Sequence, residues 1–300
     1  MASLTFKEKF KRFFDLTNRR KRKKVKKYTK LSILFVLAAG IALFFSLPFV
    51  YMILMSLMKD SNTIFQFPPT FFSDKLYFVN YVDAFNYINF GVKMFWTIVI
   101  LVCGLAIGLT SSILIAYGFA RFQNKYSNVF FYILLSTMMI PWVVTLIPSF
   151  AQFEFIGWTG TLLPLIIPWI GGSAFNVFFL RQFILGIPKE LDEAAKIDGC
   201  SSFSILLRVI IPQLKPAIAT LFVFSFISTW SDYIGPSIYL RNSPDLYTLS
   251  IGMLQFESST GDSNWAHVMA ASVMYSIPMV LVIVLCQRAF VRGYVNSGIK

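Results

Sequence analysis

The sequence predicts an all-α polytopic membrane protein with six transmembrane helices, and three observations carry that reading. Of its 300 residues, 56% are hydrophobic and only 14% are charged, against about 25% charged in soluble domains. Several uncharged stretches reach the roughly 20 residues needed to cross a bilayer core of about 30 Å. The basic residues gather on one side of those stretches. Irregular backbone cannot face lipid, so the fold is a helical bundle.

The first element is a basic cytoplasmic N-terminal segment, residues 1–30, with 13 Lys and Arg against Glu8 and Asp15. Phe6, Phe10, Phe13 and Phe14 follow helical spacing among Lys7, Lys9, Lys11 and Arg12. That is the pattern of a helix lying on an anionic leaflet; plain topological anchoring explains the charge as well. A signal peptide fits poorly, because the apolar stretch that follows is too long and lacks a small-residue cleavage site. Basic runs also bind nucleic acid, but a tail tethered beside a membrane argues against that use.

The spans follow. Leu31–Leu57, Met94–Ala120, Tyr126–Phe153, Phe155–Leu180 and Val268–Gln287 contain no charged residue. Pro216–Ser231 is shorter. It reaches spanning length if its helix begins near Val209 and Lys215 snorkels to the headgroups. Residues 31–290 therefore form the transmembrane domain, with a cytoplasmic loop at 187–212 and a cytoplasmic tail at 291–300. Placing the N-terminus inside puts 23 of the 27 Lys and Arg residues in the cytoplasm. Only Lys59, Lys75, Lys93 and Arg241 then fall outside. The opposite topology inverts that bias, so the positive-inside rule selects this one.

The composition also removes function classes. Cys103, Cys200 and Cys286 form no framework, and one histidine, His267, cannot build a metal cluster. Neither GxGxxG nor GxxxxGK[ST] occurs, so the chain is expected to bind no nucleotide itself. Ion-coupled transporters need ionisable groups at mid-membrane. Here Arg181 and Lys215 sit toward the inner ends of their spans, and Asp232 toward an outer end. No span offers a nucleophile with a plausible base, which counts against a membrane enzyme. The spans do carry Pro48, Pro141, Pro148, Pro164, Pro168, Pro212, Pro216 and Pro278, with Gly171 and Gly172. These are ordinary in membrane packing, or they mark kinked helices around a pathway that opens to alternate sides.

The loop IPKELDEAAKIDGCSSFSILLRVIIPQLKPA, from Ile187 to Ala217, lies between two spans. Pro188 suits a first helical turn, and Glu190, Asp192 and Glu193 sit at the positive end of that helix. Leu191, Ala194 and Ala195 share a face by their spacing. Gly199 can take the left-handed conformation that stops a helix, and Ser201 or Ser202 can cap the next one. The expectation is a short cytoplasmic helix, a sharp turn, and a second helix running through Phe203–Leu207 into the fifth span.

Glu193-Ala194-Ala195, then Gly199, then Val209-Ile210-Ile211-Pro212 resembles the EAA loop of ABC importer permease subunits. The spacing matches throughout; Val209 and Ile211 stand where the pattern has Ile and Leu. RQFILGIPKELDEAAKIDG, PQLKPA, FSFISTWSDYIGP and QRAFVRGYVNSGIK resemble the carbohydrate-uptake, maltose-permease-like branch, as do FPPTFF and NYVDAF. Ser231 follows Trp230 where that branch usually has Asn. The resemblance covers nearly the whole chain from about Leu31. It implies the type I ABC importer permease fold, in the cytoplasmic membrane of a bacterium or archaeon. It also implies a second homologous permease subunit, two ATPase subunits that hold ATP and Mg²⁺, an extracytoplasmic solute-binding protein, and a sugar substrate. Leu191, Glu193, Ala194, Ala195, Asp198, Gly199 and Pro212 would then couple to the ATPase. Trp142, Trp169, Asn176, Trp230 and Tyr233 are the residue types that hold sugars by stacking and hydrogen bonding, although aromatics are also common at membrane interfaces. The nearest alternative is the same machinery carrying another solute, such as a glycerol phosphodiester or a polyamine; a polyamine would need converging carboxylates and a phosphorylated solute a deep cation, and the spans lack both. A stand-alone channel or secondary transporter is the alternative of a different class.

Overall fold

The computed structural model describes the backbone of residues 6–59, 75–122, 124–256 and 264–297, with side chains from residue 25 to 287 within those stretches. FPPTFF lies outside the described residues, as do the side chains of Phe6 to Phe14 and of the C-terminal tail. Residues up to Leu54 form one compact unit and those from Met55 a second. The first is helical: α1 runs Phe6–Ser56, and apolar residues along it such as Leu31, Phe35, Leu43 and Phe44 are exposed, as a lipid-facing helix requires.

The second unit begins at Met55, near the end of α1, and its next helix is α2 (Val79–Tyr87). Asn80 of α2 donates to the carbonyls of Ser56 at 2.9 Å and Met58 at 2.8 Å. Asn89 takes a left-handed φ of 51°, which asparagine tolerates better than most residues. It turns the chain into α3 (Phe90–Arg121). Next come α4 (Ser127–Thr137) and α5 (Trp142–Phe155), which lie at 94° to each other. The continuous third span expected over Tyr126–Phe153 is therefore bent. Pro141, with ψ at 129°, has no N–H to continue a helix.

The next span is also discontinuous. It consists of α6 (Leu163–Ile166), a 3₁₀ segment Ile167–Gly171 and α7 (Ala174–Leu185). Pro164 and Pro168 remove helix donors, and Gly172 breaks the run with φ at 68°. Then α8 (Glu190–Ile197) and α9 (Ser202–Ile205) lead through a π turn, Leu206–Ile210, into α10 (Ile211–Trp230). Pro212 would clash with the carbonyl four residues earlier, and widening the preceding turn to π geometry relieves that clash. Two short helices, α11 (Ile234–Tyr239) and α12 (Leu249–Leu254), precede α13 (Trp265–Ser297).

Five helical stretches are long and apolar enough to cross a membrane, or six if the bent pair α4–α5 counts as one. The all-α polytopic expectation stands. Buried side chains form separate clusters. Around the α8–α9 loop, Ala116, Ala120, Leu180, Ile184, Ile205 and Ile210 pack together. At the other end of α3, Phe90 and Leu101 pack with Trp230, Leu249, Ala270 and Ala271.

Candidate functional site

The α8–α9 loop is built as its sequence suggests. The Cys200 N–H donates to the Ala195 carbonyl at 2.9 Å and the Gly199 N–H to Lys196 at 3.0 Å. This nested pair is a Schellman motif, with Gly199 at φ +80°. Ser201, of the two serines, caps α9: its Oγ accepts from the Ser204 N–H at 3.3 Å. Asp198 closes α8, its N–H bonded to Ala194 at 3.1 Å.

The outward face differs in detail from expectation. Glu193 and Ala194 are exposed and Leu191 is 42% exposed. Ala195 instead turns inward, half-buried against the apolar cluster below. Ile197, three residues beyond Ala194, takes the outer place at 87% exposure. Leu191, Ala194 and Ile197 therefore leave apolar surface of α8 uncovered by the other described residues. Its sequence signal was local: Ile197 lies three residues beyond Ala194, the spacing that makes helix neighbours.

Sequence reasoning also missed what holds α8 in place. Arg121, the last residue of α3, donates from Nε to Asp192 Oδ2 at 2.6 Å and from Nη2 to the Ile187 carbonyl at 3.0 Å. Both side chains are buried, 7% and 10% exposed. Tyr117, one turn earlier on α3, donates to the Ser202 carbonyl at 3.2 Å. Arg181 of α7 donates to the Phe119 carbonyl at 3.3 Å and lies 4.1 Å over the Phe131 ring.

A second site lies at the far end of α3. A cleft of about 70 Å³ is lined by Thr97, Trp169, Ser228, Thr229, Asp232 and Thr248, with apolar Ile100, Leu165 and Pro236. Asp232 Oδ1 accepts from the Gly235 N–H at 3.1 Å. Of the five candidate sugar-contacting residues, this cleft receives Trp169 alone. Trp142 is exposed at the start of α5, and Tyr233 is exposed just past α10. Asn176 is buried on α7. Trp230 is 1% exposed and stacks on Phe226 at 5.6 Å. The hydroxyls of Thr97, Ser228, Thr229 and Thr248 were not singled out in the sequence; small hydroxyls are common in membrane helices and carry no pattern of their own.

The chain is a multi-span helical membrane protein with an exposed, Gly-terminated helix between two of its spans. Residues 108–296 match the family of binding-protein-dependent transport system inner membrane components, and the chain belongs to that family. It is 31% identical over 276 residues to the arabinooligosaccharides transport system permease protein AraQ of Halalkalibacterium halodurans, covering 90% of this chain and 95% of that protein. It is 32% identical over 249 residues to the sn-glycerol-3-phosphate transport system permease protein UgpE of Pectobacterium atrosepticum, covering 79% of this chain and 86% of that one. The fold is shared with a chain in a crystal structure of a bacterial ABC transporter involved in the import of the acidic polysaccharide alginate. The TM-score there is 0.76 at 23% identity, over 97% of this chain and 100% of that chain.

Proposed function

We propose that this chain is one permease subunit of an ATP-driven importer for a sugar or oligosaccharide delivered by an extracytoplasmic solute-binding protein. In this reading Leu191, Glu193, Ala194 and Ile197 present the surface on which an ATPase subunit docks. Gly199 sets the angle of the bend behind it, and Asp198, Ala195 and Pro212 hold the bend from within. ATP and Mg²⁺ belong to two ATPase subunits, and this chain performs no hydrolysis. Both termini, the basic segment 1–30 and the tail 291–300 lie in the cytoplasm. The observation that carries the reading is the exposed apolar face of α8, ended by a Schellman turn at Gly199.

A cleft of about 70 Å³ is far below the roughly 300–1,000 Å³ of an ordinary small-molecule site. This supports a pathway completed by a second, homologous permease subunit. The lining supports a neutral solute: four hydroxyl-bearing residues and one carboxylate are among the lining residues, and no Lys or Arg is. Lys93, one turn from Thr97, is engaged with the Ile88 carbonyl. A phosphorylated solute would meet a carboxylate with no cation to answer it.

The test is purification of the tagged chain with its neighbouring gene products, followed by photolabelling with an azido-ATP analogue. The expected result is a co-purified P-loop subunit that takes the label while this chain does not. Saturable labelling of this chain alone, or a chain that transports without any such subunit, would overturn the reading.

A further inference from the structure

The α8–α9 loop is joined to the spans in two ways. One is covalent, through α9 and the π turn into α10, a path softened by Pro212 and Pro216. The other is non-covalent and runs to α3. A single face of α3 holds both arms of the loop. Arg121 binds Asp192 in the first turn of α8 and the Ile187 carbonyl ahead of it. Tyr117, four residues earlier, binds the Ser202 carbonyl at the start of α9. The apolar cluster around Ala116 and Ala120 fills the space between.

A buried ion pair is poor evidence of stabilisation, because desolvating two charges offsets most of their attraction. This pair is not even fully satisfied: Arg121 Nη1 and Asp192 Oδ1 are buried without a hydrogen-bond partner among the described residues. Its consequence is positional. Three directed bonds from α3 leave the α8–α9 pair little freedom to slide or swivel.

What α3 touches elsewhere gives that fixation a use. Among the described residues it is the one candidate span without a proline, and proline is the commonest cause of a sharp kink. Its 32 residues reach about 48 Å at 1.5 Å per residue. Midway, Gly104 and Gly108 lie against the Trp169 ring, and Ser112 Oγ accepts from the Ser173 N–H at 3.3 Å. Both contacts fall on the broken fourth span. Near its start, Thr97 lines the cleft, and its Oγ1 accepts from the Leu249 N–H at 2.8 Å. One stiff helix therefore meets the docking helix, the broken span and the cleft.

We propose that Arg121 and Asp192 are positioning residues that make α8 move with α3, and that α3 carries the displacement of the docking helix to the cleft. This rests on the reading that α8 docks an ATPase subunit. The test uses the assembled importer in lipid nanodiscs, with Cys103, Cys200 and Cys286 replaced by serine. Spin labels are attached through Phe95→Cys on α3 and Ile234→Cys on α11. Their separation is measured by electron paramagnetic resonance without nucleotide and after trapping with ATP and vanadate. The expected result is a shift on trapping that Asp192→Asn abolishes while ATP hydrolysis persists. An undiminished shift in Asp192→Asn overturns the proposal. So does a shift that falls only in proportion to hydrolysis and assembly, since a purely structural role gives that outcome. Should Asp192→Asn fail to assemble, Arg121→Lys replaces it, because it keeps the charge but not the forked geometry. A reduced shift is then expected, and a full one overturns the proposal. Absence of any shift in the background complex, or of any bound ATPase, removes the docking reading itself.

Discussion

Gly199 shows how a single position can matter without being crowded. A Cβ added there meets nothing within 4 Å, but φ is +80°, and a side chain in that region costs roughly 1–2 kcal/mol. That cost is small for a whole bundle, yet it falls on the turn that aims α8. Gly199→Val and Glu193→Lys are expected to leave membrane abundance near normal, weaken ATPase co-purification and abolish uptake. Immunoblotting of membranes, pull-down and transport assays separate these effects, and normal uptake in both variants would remove the coupling role. Ile197→Asp is expected to reduce ATPase co-purification without altering insertion, because at 87% exposure the side chain contributes little to this chain's own core. Equal retention of the ATPase by Ile197→Asp and the unmodified chain would exclude Ile197 from the interface. These residues were legible, or nearly so, because turn glycine, caps and helix face are local properties. The Arg121–Asp192 pair was not: its members are 71 positions apart, and in the sequence each looks like an ordinary charge near a span end.

At the scale of elements, the prolines showed where helices break but not how far they bend. Pro141 and the Pro164–Gly172 stretch mark discontinuities on either side of α5, yet only the first produces a 94° turn. A missing N–H weakens a helix locally, and the angle it then takes is decided by what packs against the two pieces. The fourth span finds its support in the groove formed by Gly104 and Gly108 on α3. Small residues four apart let another element approach closely, and here a tryptophan ring fills the gap. A Cβ on Gly108 would lie 2.6 Å from Trp169 Cε3. Gly108→Ala must therefore displace the ring, at about 1–3 kcal/mol for an overpacked contact. A lower Tm in detergent is expected. Combining it with Trp169→Ala should cost less than the two single losses added together, because both changes act on one contact. Strict additivity in that double-mutant cycle would show that the ring does not hold the broken span to α3. Gly104 and Gly108 were not singled out in the sequence, and a pair of small residues four apart names no partner of its own.

At the scale of the molecule, orientation is set by charge, and the structure narrows which charges count. Of 27 Lys and Arg residues, the proposed topology leaves four outside: Lys59, Lys75, Lys93 and Arg241. Lys93 is buried, with Nζ donating to the Ile88 carbonyl at 2.6 Å at the end of α2. It serves as a helix cap and contributes little to the charge presented at that surface. The opposite topology would carry 23 basic residues across the membrane, including the 13 that precede the first span, which insertion strongly disfavours. On the proposed topology α8 lies on the cytoplasmic side, where ATP is available, and the Asp232 cleft lies toward the opposite side. One labelling experiment checks both ends of this arrangement in a background lacking the three native cysteines. Leu76→Cys, exposed just ahead of α2, is expected to react with a membrane-impermeant maleimide on intact cells. Ile197→Cys is expected to react only after permeabilisation. The reverse pattern would invert the topology and leave α8 on the wrong side for any ATPase, while labelling of both positions from outside would break the span count on which the six-helix arrangement depends.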